Sequence, residues 1–210
     1  MEKFLIDKSK SWDGIYLTQP ITGYYNTYYV GFRQEGNPDF LNDLKNTFAY
    51  ASQSMRRTLN FAKQKVVNCL VGDLPQIIEM ENIECPLCIC VPRSRANMHE
   101  VQMYFRKAVQ EACAVIDGLE DGTTIIERVE HTCTTHLRNT TAATDGEEPY
   151  PGITEDTCDI DTARIRGRNI ILVDDIYTSG CNIDEDCIQA LFNAGAGQVT
   201  FYAIAYTKRY

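Results

Sequence analysis

Near the end of the chain two carboxylates follow an apolar run, Ile170-Ile171-Leu172-Val173-Asp174-Asp175, and a small polar turn comes after them, Thr178-Ser179-Gly180-Cys181-Asn182. Adjacent acids repel, and strands disfavour Asp. Ribose hydroxyls donating hydrogen bonds to the carboxylates would offset that cost, and so would a cation. Gly180 lets a ligand approach the backbone closely, and successive N–H groups in such a turn can form an anion nest. The turn leads into a helix, with Asn182 as N-cap and Glu185 at capping-box spacing. Helix N-termini offer unpaired N–H groups and the positive dipole end to phosphate. An acidic pair followed by a phosphate cradle is the order expected for a ribose 5-phosphate. The plain alternative is a capped strand-to-helix turn with two solvent-facing aspartates.

The elements that must position these residues can be read around them. Ile170–Val173 is a continuous apolar run, as a strand buried on both faces requires. A helix is predicted from about Ile183 to Ala194, with Cys187, Ile188, Leu191 and Phe192 on its apolar side, stopped by Gly195-Ala196-Gly197. Val199–Tyr206 is a further apolar strand. Strand, helix, strand at this spacing makes a βαβ unit with parallel strands. The segment 83–129 has the same form: an apolar strand over 83–91, a helical pattern from Val101 to Ile116, and a β-prone run Thr123–Val129. Two such units predict an open, mainly parallel α/β sheet flanked by helices.

Upstream, residues 12–36 are rich in Tyr and Gly and predict a β-rich flap, with a hairpin turning near Asn26. Asn37-Pro38 reads as a helix start. Leu41, Leu44, Phe48, Ala51, Met55, Leu59, Ala62 and Val66 then mark one long amphipathic helix over 38–68. Residues 139–162 are polar and carry Gly and Pro, which predicts a long loop. The chain reads as one domain: a flap and helix in 1–70, then a core over 83–207 with a mobile loop at about 131–162.

The run IILVDDIYTSGCN resembles the PRPP-binding motif of type I phosphoribosyltransferases, and DEDCIQALFNAGAGQVTFYAIAYTK resembles the helix and strand that follow it there. The wording is closest to the ComF-like and amidophosphoribosyltransferase-like branch. Clear resemblance covers about residues 165–207. At Asn182 those proteins usually have Thr, and Asn keeps the capping capacity. The resemblance implies that Asp174 and Asp175 hold the ribose hydroxyls and that Thr178, Ser179, Gly180, Cys181 and Asn182 cradle the 5-phosphate. It implies an acceptor beside Ile176 and Tyr177. It also implies a pyrophosphate loop after an early core strand, where Val91-Pro92-Arg93-Ser94-Arg95 resembles the branch's wording; Arg93 and Arg95 suit diphosphate oxygens. The implied reaction is displacement of pyrophosphate at the anomeric carbon of PRPP by a nitrogen nucleophile, with Mg²⁺ bound mainly to PRPP. A loop closing over the substrate would begin near His131, His136 and Arg138. A regulator that binds PRPP or a nucleotide without turnover is the alternative on the same fold.

Composition sets outer bounds. The chain has 210 residues, enough to bury a core, and 44% are hydrophobic. A net charge of −9 argues against coating nucleic acid. No apolar run approaches the roughly 20 residues of a membrane span, and the start has no signal-peptide core, so a cytoplasmic location is expected. The nine cysteines are then expected to be mostly reduced thiols. One metal alternative stays open: Cys85 and Cys88 joining Cys133 and His136 as a zinc site. The helix at 38–68 could supply a homodimer face. An acidic pair after an apolar strand also occurs in response-regulator receivers, but there it lies near the domain start, whereas here little chain follows it.

Overall fold

The computed structural model describes residues 1–11, 14–132, 152–154 and 156–208. Strands β1 (Glu2–Ile6), β2 (Ser9–Ser11), β3 (Gly14–Leu17) and β4 (Ile21–Tyr29) come first, then helices α1 (Phe40–Leu44) and α2 (Gln53–Met80). The middle of the chain supplies β5 (Leu87–Cys90), α3 (Tyr104–Val115), β6 (Glu120–Asp121) and β7 (Ile126–Arg128). The last part holds β8 (Cys158–Ile160), α4 (Thr162–Ile165), β9 (Asn169–Tyr177), α5 (Ile183–Asn193) and β10 (Gln198–Thr207). Among the described residues, six strands form the main sheet in the order β1-β4-β10-β9-β5-β6. Every pairing in it is parallel except β1 with β4. The protein is therefore α/β, with a mixed sheet of mostly parallel strands flanked by helices. No helix among the described residues is long and apolar enough to cross a membrane.

The period of two along each strand divides the core between the sheet's faces. Cys88, Cys90, Ile171, Val173, Tyr202 and Ile204 face α2 and α3, meeting Leu59, Val66, Leu70, Leu74, Ala108 and Ala112. Leu87, Ile89, Ile170, Leu172, Phe201 and Ala203 point the other way, against Ile165 of α4 and Cys187, Ile188 and Leu191 of α5. A strand covered on both sides needs apolar residues at every position, which is why Ile170–Val173 carries no polar residue.

Both βαβ units form, with adjustments. The second of them, β9-α5-β10, pairs in register from Gln198 with Asn169 to Tyr206 with Tyr177. The first closes on the short β6, which pairs with β5 through Leu87 with Glu120 and Cys88 with Asp121. The β-prone run after it turns out of the sheet and pairs antiparallel with β8 instead.

The N-terminal expectations need correction. The Tyr-rich segment does not turn near Asn26; β3 pairs with β2 in a separate two-stranded sheet, and β4 joins the main sheet. β4 is an interior strand of the main sheet, between β1 and β10, and it runs straight through Asn26. The Asn26 amide donates to buried Asp73 of α2 at 2.8 Å, and Tyr202 donates to the same carboxylate oxygen at 2.8 Å. These bonds explain polar residues at positions that otherwise read as turns.

The single helix over 38–68 is two helices. Asn37 turns back to accept from the amides of Val30 and Gly31, so it does not cap α1. The chain then leaves helical form after Leu44, where Arg93 takes the carbonyls of Leu44 and Asn46 that a continuing helix would have used. Phe48 is exposed and lies off the core stripe. Ser52 restarts the helix by accepting from the Met55 amide at 3.3 Å. α2 then continues to Met80 despite Gly72 and Pro75. A mid-helix Pro costs about 3 kcal/mol, but Leu70, Leu74 and Ile77 are fully buried beyond the expected end, each contributing roughly 1.5–3 kcal/mol.

Candidate functional site

β9 outlasts its neighbour, and that difference makes the site. β5 ends at Cys90, opposite Val173, with one further bond from the Val91 amide to the Val173 carbonyl at 3.0 Å. Asp174 and Asp175 are thus the first residues of β9 with no strand on that side, although β10 still runs alongside on the other, pairing Asp174 and Ile176. The connection leaving β5 runs to β6, away from β9, while the connection leaving β9 runs to β10. The crevice between β5 and β9 is therefore the switch point where open α/β sheets bind ligands. A cavity of about 50 Å³ lies there, lined among others by Cys90, Val91, Arg93, Gln102, Asp174 and Asp175.

The two aspartates remain in the strand, so their side chains alternate between its faces. The Asp175 amide donates to Asp174 Oδ1 at 2.7 Å. Asp175 pairs with Lys45 at 3.3 Å. Burial lifts Asp174 to a pKa of about 7; the Asp175 charge adds to the rise, and Lys45 and a hydrogen bond with Asp184 oppose it. Asp184, in the first turn of α5, is only 3% exposed, and its Oδ1 has no hydrogen-bond partner among the described residues. Burial, then the charge of Asp174, pushes its pKa well above the carboxylate range. Burial works against the Lys45 ammonium, but Asp175 and Asp174 outweigh it and hold its pKa above the ordinary value.

The turn after the strand stands open to solvent. The Cys181 amide closes it on the Thr178 carbonyl at 3.1 Å. Gly180, at φ +80°, takes the position that a type II turn reserves for glycine. Ser179 and Gly180 are exposed, and the Thr178 and Thr207 hydroxyls share a hydrogen bond of 2.6 Å. The capping-box expectation fails here. Asn182 is left-handed at φ +62° and makes no side-chain cap. Glu185 instead accepts from the Tyr177 hydroxyl at 2.8 Å, and Asp186 accepts from the Ile153 amide at 2.8 Å. Burial raises both carboxyls, Asp186 to about 6. Three acids in the first turn suit the helix dipole, and the bonds of Glu185 and Asp186 tie α5 to neighbouring chain.

Arg93 reaches the site and is held there by three backbone carbonyls. Its guanidinium donates to the carbonyls of Leu44 (3.4 Å), Gln102 (3.1 Å) and Asn46 (3.2 Å). Burial pushes its pKa down, while Asp175 and Asp174 push it up. The loop around Ser94 is braced from below: Arg128 donates to the Arg93 carbonyl at 3.1 Å, and the Thr132 amide to that of Ser94 at 2.8 Å. The Ala96 amide donates to His131 Nδ1 at 3.1 Å, so this histidine supports the loop. Arg95 is exposed and lies outside the cavity wall.

Ile176 and Tyr177 do not line the cavity. Tyr177 is buried in an aromatic cluster with Phe4, Phe201 and Tyr206, at centroid distances of 5.0, 5.6 and 5.3 Å. It is part of the packing, which corrects the expectation of an acceptor wall. Cys88 is a fully buried strand residue whose thiol meets Cys113, and Cys85 is exposed at φ +47°. Cys133, His136 and Arg138 fall outside the described residues. Among the described residues no three His, Cys, Asp or Glu side chains could hold a metal together. Arg164 and Arg168 pair with Glu120 at the opposite end of the sheet.

Lys45, Asp184 and Gln102 went unnoticed in the sequence. Lys45 carries no signal, being one lysine after a short helix. Asp184-Glu185-Asp186 was visible as an acidic triplet, but only burial distinguishes it from ordinary dipole compensation. Comparison with family models and with curated proteins finds no match for this chain.

Proposed function

We propose that this protein binds 5-phosphoribosyl diphosphate and transfers its phosphoribosyl group to a nitrogenous acceptor, on a fold of the type I phosphoribosyltransferase kind. The observation that carries the reading is the joint placement of three features. An acidic pair projects at the switch point of the sheet, an arginine-bearing loop stands across the crevice from it, and an exposed left-handed turn leads into α5. Asp174 and Asp175 would accept from the ribose hydroxyls. The backbone of Thr178, Ser179, Gly180, Cys181 and Asn182 would cradle the 5-phosphate. Arg93, Ser94 and Arg95 would meet the diphosphate, with Mg²⁺ arriving on it and neutralising part of its charge. The acceptor nitrogen forms a bond to the anomeric carbon as the carbon–oxygen bond to diphosphate breaks. The bonding pair leaves with pyrophosphate, and the acceptor loses its proton to solvent.

A second reading, binding without turnover, is favoured by one specific observation: Ile176 and Tyr177 do not line the cavity, and Tyr177 is buried, so among the described residues these two form no acceptor wall beside the acidic pair. One experiment addresses both. Calorimetry with PRPP and Mg²⁺ measures binding, and pyrophosphate release is followed across a panel of amines and bases. Binding with release for one acceptor is the expected result. Binding without release for any acceptor selects the regulator, and no binding rejects both.

A further inference from the structure

The cavity of about 50 Å³ is far below the roughly 300 Å³ or more of a small-molecule site. A sugar diphosphate does not fit within that volume alone, and the exposed turn at 178–181 lies outside it. The walls from β5 and β9 belong to the sheet, and the wall from α3 packs on α2. Of the other lining residues, Leu44 ends α1, and Pro92, Arg93, Met98, Gln102 and Met103 belong to the chain between β5 and α3; the irregular chain over 45–52 begins at Lys45, which reaches Asp175. Leu41 and Leu44 are buried and anchor α1. Beyond them Phe48 and Tyr50 are exposed, Tyr50 by 86%. This segment is tied down largely by polar contacts, and the principal ones come from the site itself. Lys45 pairs with Asp175 at 3.3 Å, and Arg93 donates to Leu44 O and Asn46 O. The Asn46 amide adds one bond to Val101 O at 3.0 Å, and its buried Oδ1 has no partner among the described residues.

We infer that Lys45 and Arg93 form a latch that holds residues 45–52 closed over the site, and that an anionic ligand opens it by drawing both cations away from their present partners. Lys45 occupies the carboxylate that ribose hydroxyls would use. Arg93 spends N–H groups on neutral carbonyls, whereas diphosphate would offer it anionic oxygens that match the planar guanidinium fork. A binding-competent state populated only in part lowers apparent affinity by that fraction. The identity of the ligand rests on the proposed function; the latch itself does not.

The test is hydrogen exchange by mass spectrometry on the full chain, as wild type, Lys45→Met and Asp175→Asn, with and without PRPP and Mg²⁺, alongside calorimetry. Each variant breaks the ion pair from one side, so both should speed exchange of the amides in 45–50. PRPP should speed exchange there in the wild type. Lys45→Met should bind PRPP about three- to tenfold more tightly, the size expected of removing one partly exposed ion pair from the closed state. Unchanged exchange in both variants would overturn the latch. Weaker PRPP binding by Lys45→Met would also overturn it, because Lys45 would then be a ligand contact. A melting curve checks that Lys45→Met folds; if it does not, exchange in Asp175→Asn decides. Faster exchange in the variants with no PRPP binding by any protein keeps the latch and rejects the ribose-phosphate reading.

Discussion

Asp174, half-buried, and Asp184, buried, interact with each other yet serve different ends. Asp174 borders the cavity, and with a pKa of about 7 it is neutral in much of the protein at pH 6 and mostly ionised at pH 8. A carboxylate accepts hydroxyl hydrogens better than a carboxylic acid does. PRPP affinity is therefore expected to rise between pH 6 and pH 8, and the part due to this group should vanish in Asp174→Asn. Calorimetry of both proteins across that range makes the comparison, and parallel profiles would refute the role. Asp175→Ala should cost about 10- to 100-fold in PRPP affinity, as loss of a charged hydrogen-bonding partner does. Asp184 is enclosed, and its ionised form is opposed by burial and by Asp174. Asp184→Asn keeps the shape and removes the charge. It should stabilise the protein at pH 8 by about 1 kcal/mol, a rise of about 2–4 °C in Tm, and have little effect at pH 5. Gly180→Val is a poorer probe of phosphate contact, because φ +80° already strains any β-branched residue there.

At the scale of elements, the site depends on where helices stop and start. The interruption between α1 and α2 lets Lys45 and Arg93 reach the crevice, and it exists because Arg93 claims two carbonyls and Ser52 restarts the helix. Ser52→Ala should cost about 1 kcal/mol, the usual value of an N-cap, and lower Tm by about 2–4 °C. An equal Tm for the two proteins would mean that burial of Leu59 through Ile77 alone fixes where α2 begins. The mismatch in strand length matters as much. Had β5 continued beyond Cys90, its backbone would have closed the edge of β9 at Asp174 and Asp175.

For the whole molecule, the buried acids set the direction of its pH response. An unfolded Asp or Glu titrates near pH 4, while Asp174 titrates at about 7, Asp186 at about 6, and Asp184 and Glu185 are also raised. Between pH 4 and pH 7 the folded state therefore binds more protons than the unfolded state, and stability falls as pH rises. Glu2, Glu81, Asp39 and Glu120 have depressed values and act in the opposite sense. They lie at or near the surface, where such pairs contribute little. The urea midpoint should accordingly be higher at pH 5 than at pH 8, and a higher midpoint at pH 8 would show that the surface pairs dominate. The same sign follows from a net charge of −9, since protonation relieves self-repulsion.

The sequence by itself determined the period of the elements around the site: four apolar residues in a row for a doubly covered strand, spacings of three and four for α3 and α5, and a glycine where the turn at 178–181 needs one. These are local facts, fixed by backbone geometry and by which faces must be dry. It also held the order of acidic pair, turn and helix. What only the tertiary structure decided was which polar groups meet across long separations. Asn26 and Tyr202 converge on Asp73, Arg93 seizes carbonyls about fifty residues earlier, Lys45 finds Asp175, and Glu185 leaves the cap to hold Tyr177. A polar side chain in sequence has many possible partners and no period to reveal them. Its partner is chosen only once burial removes water as the competitor.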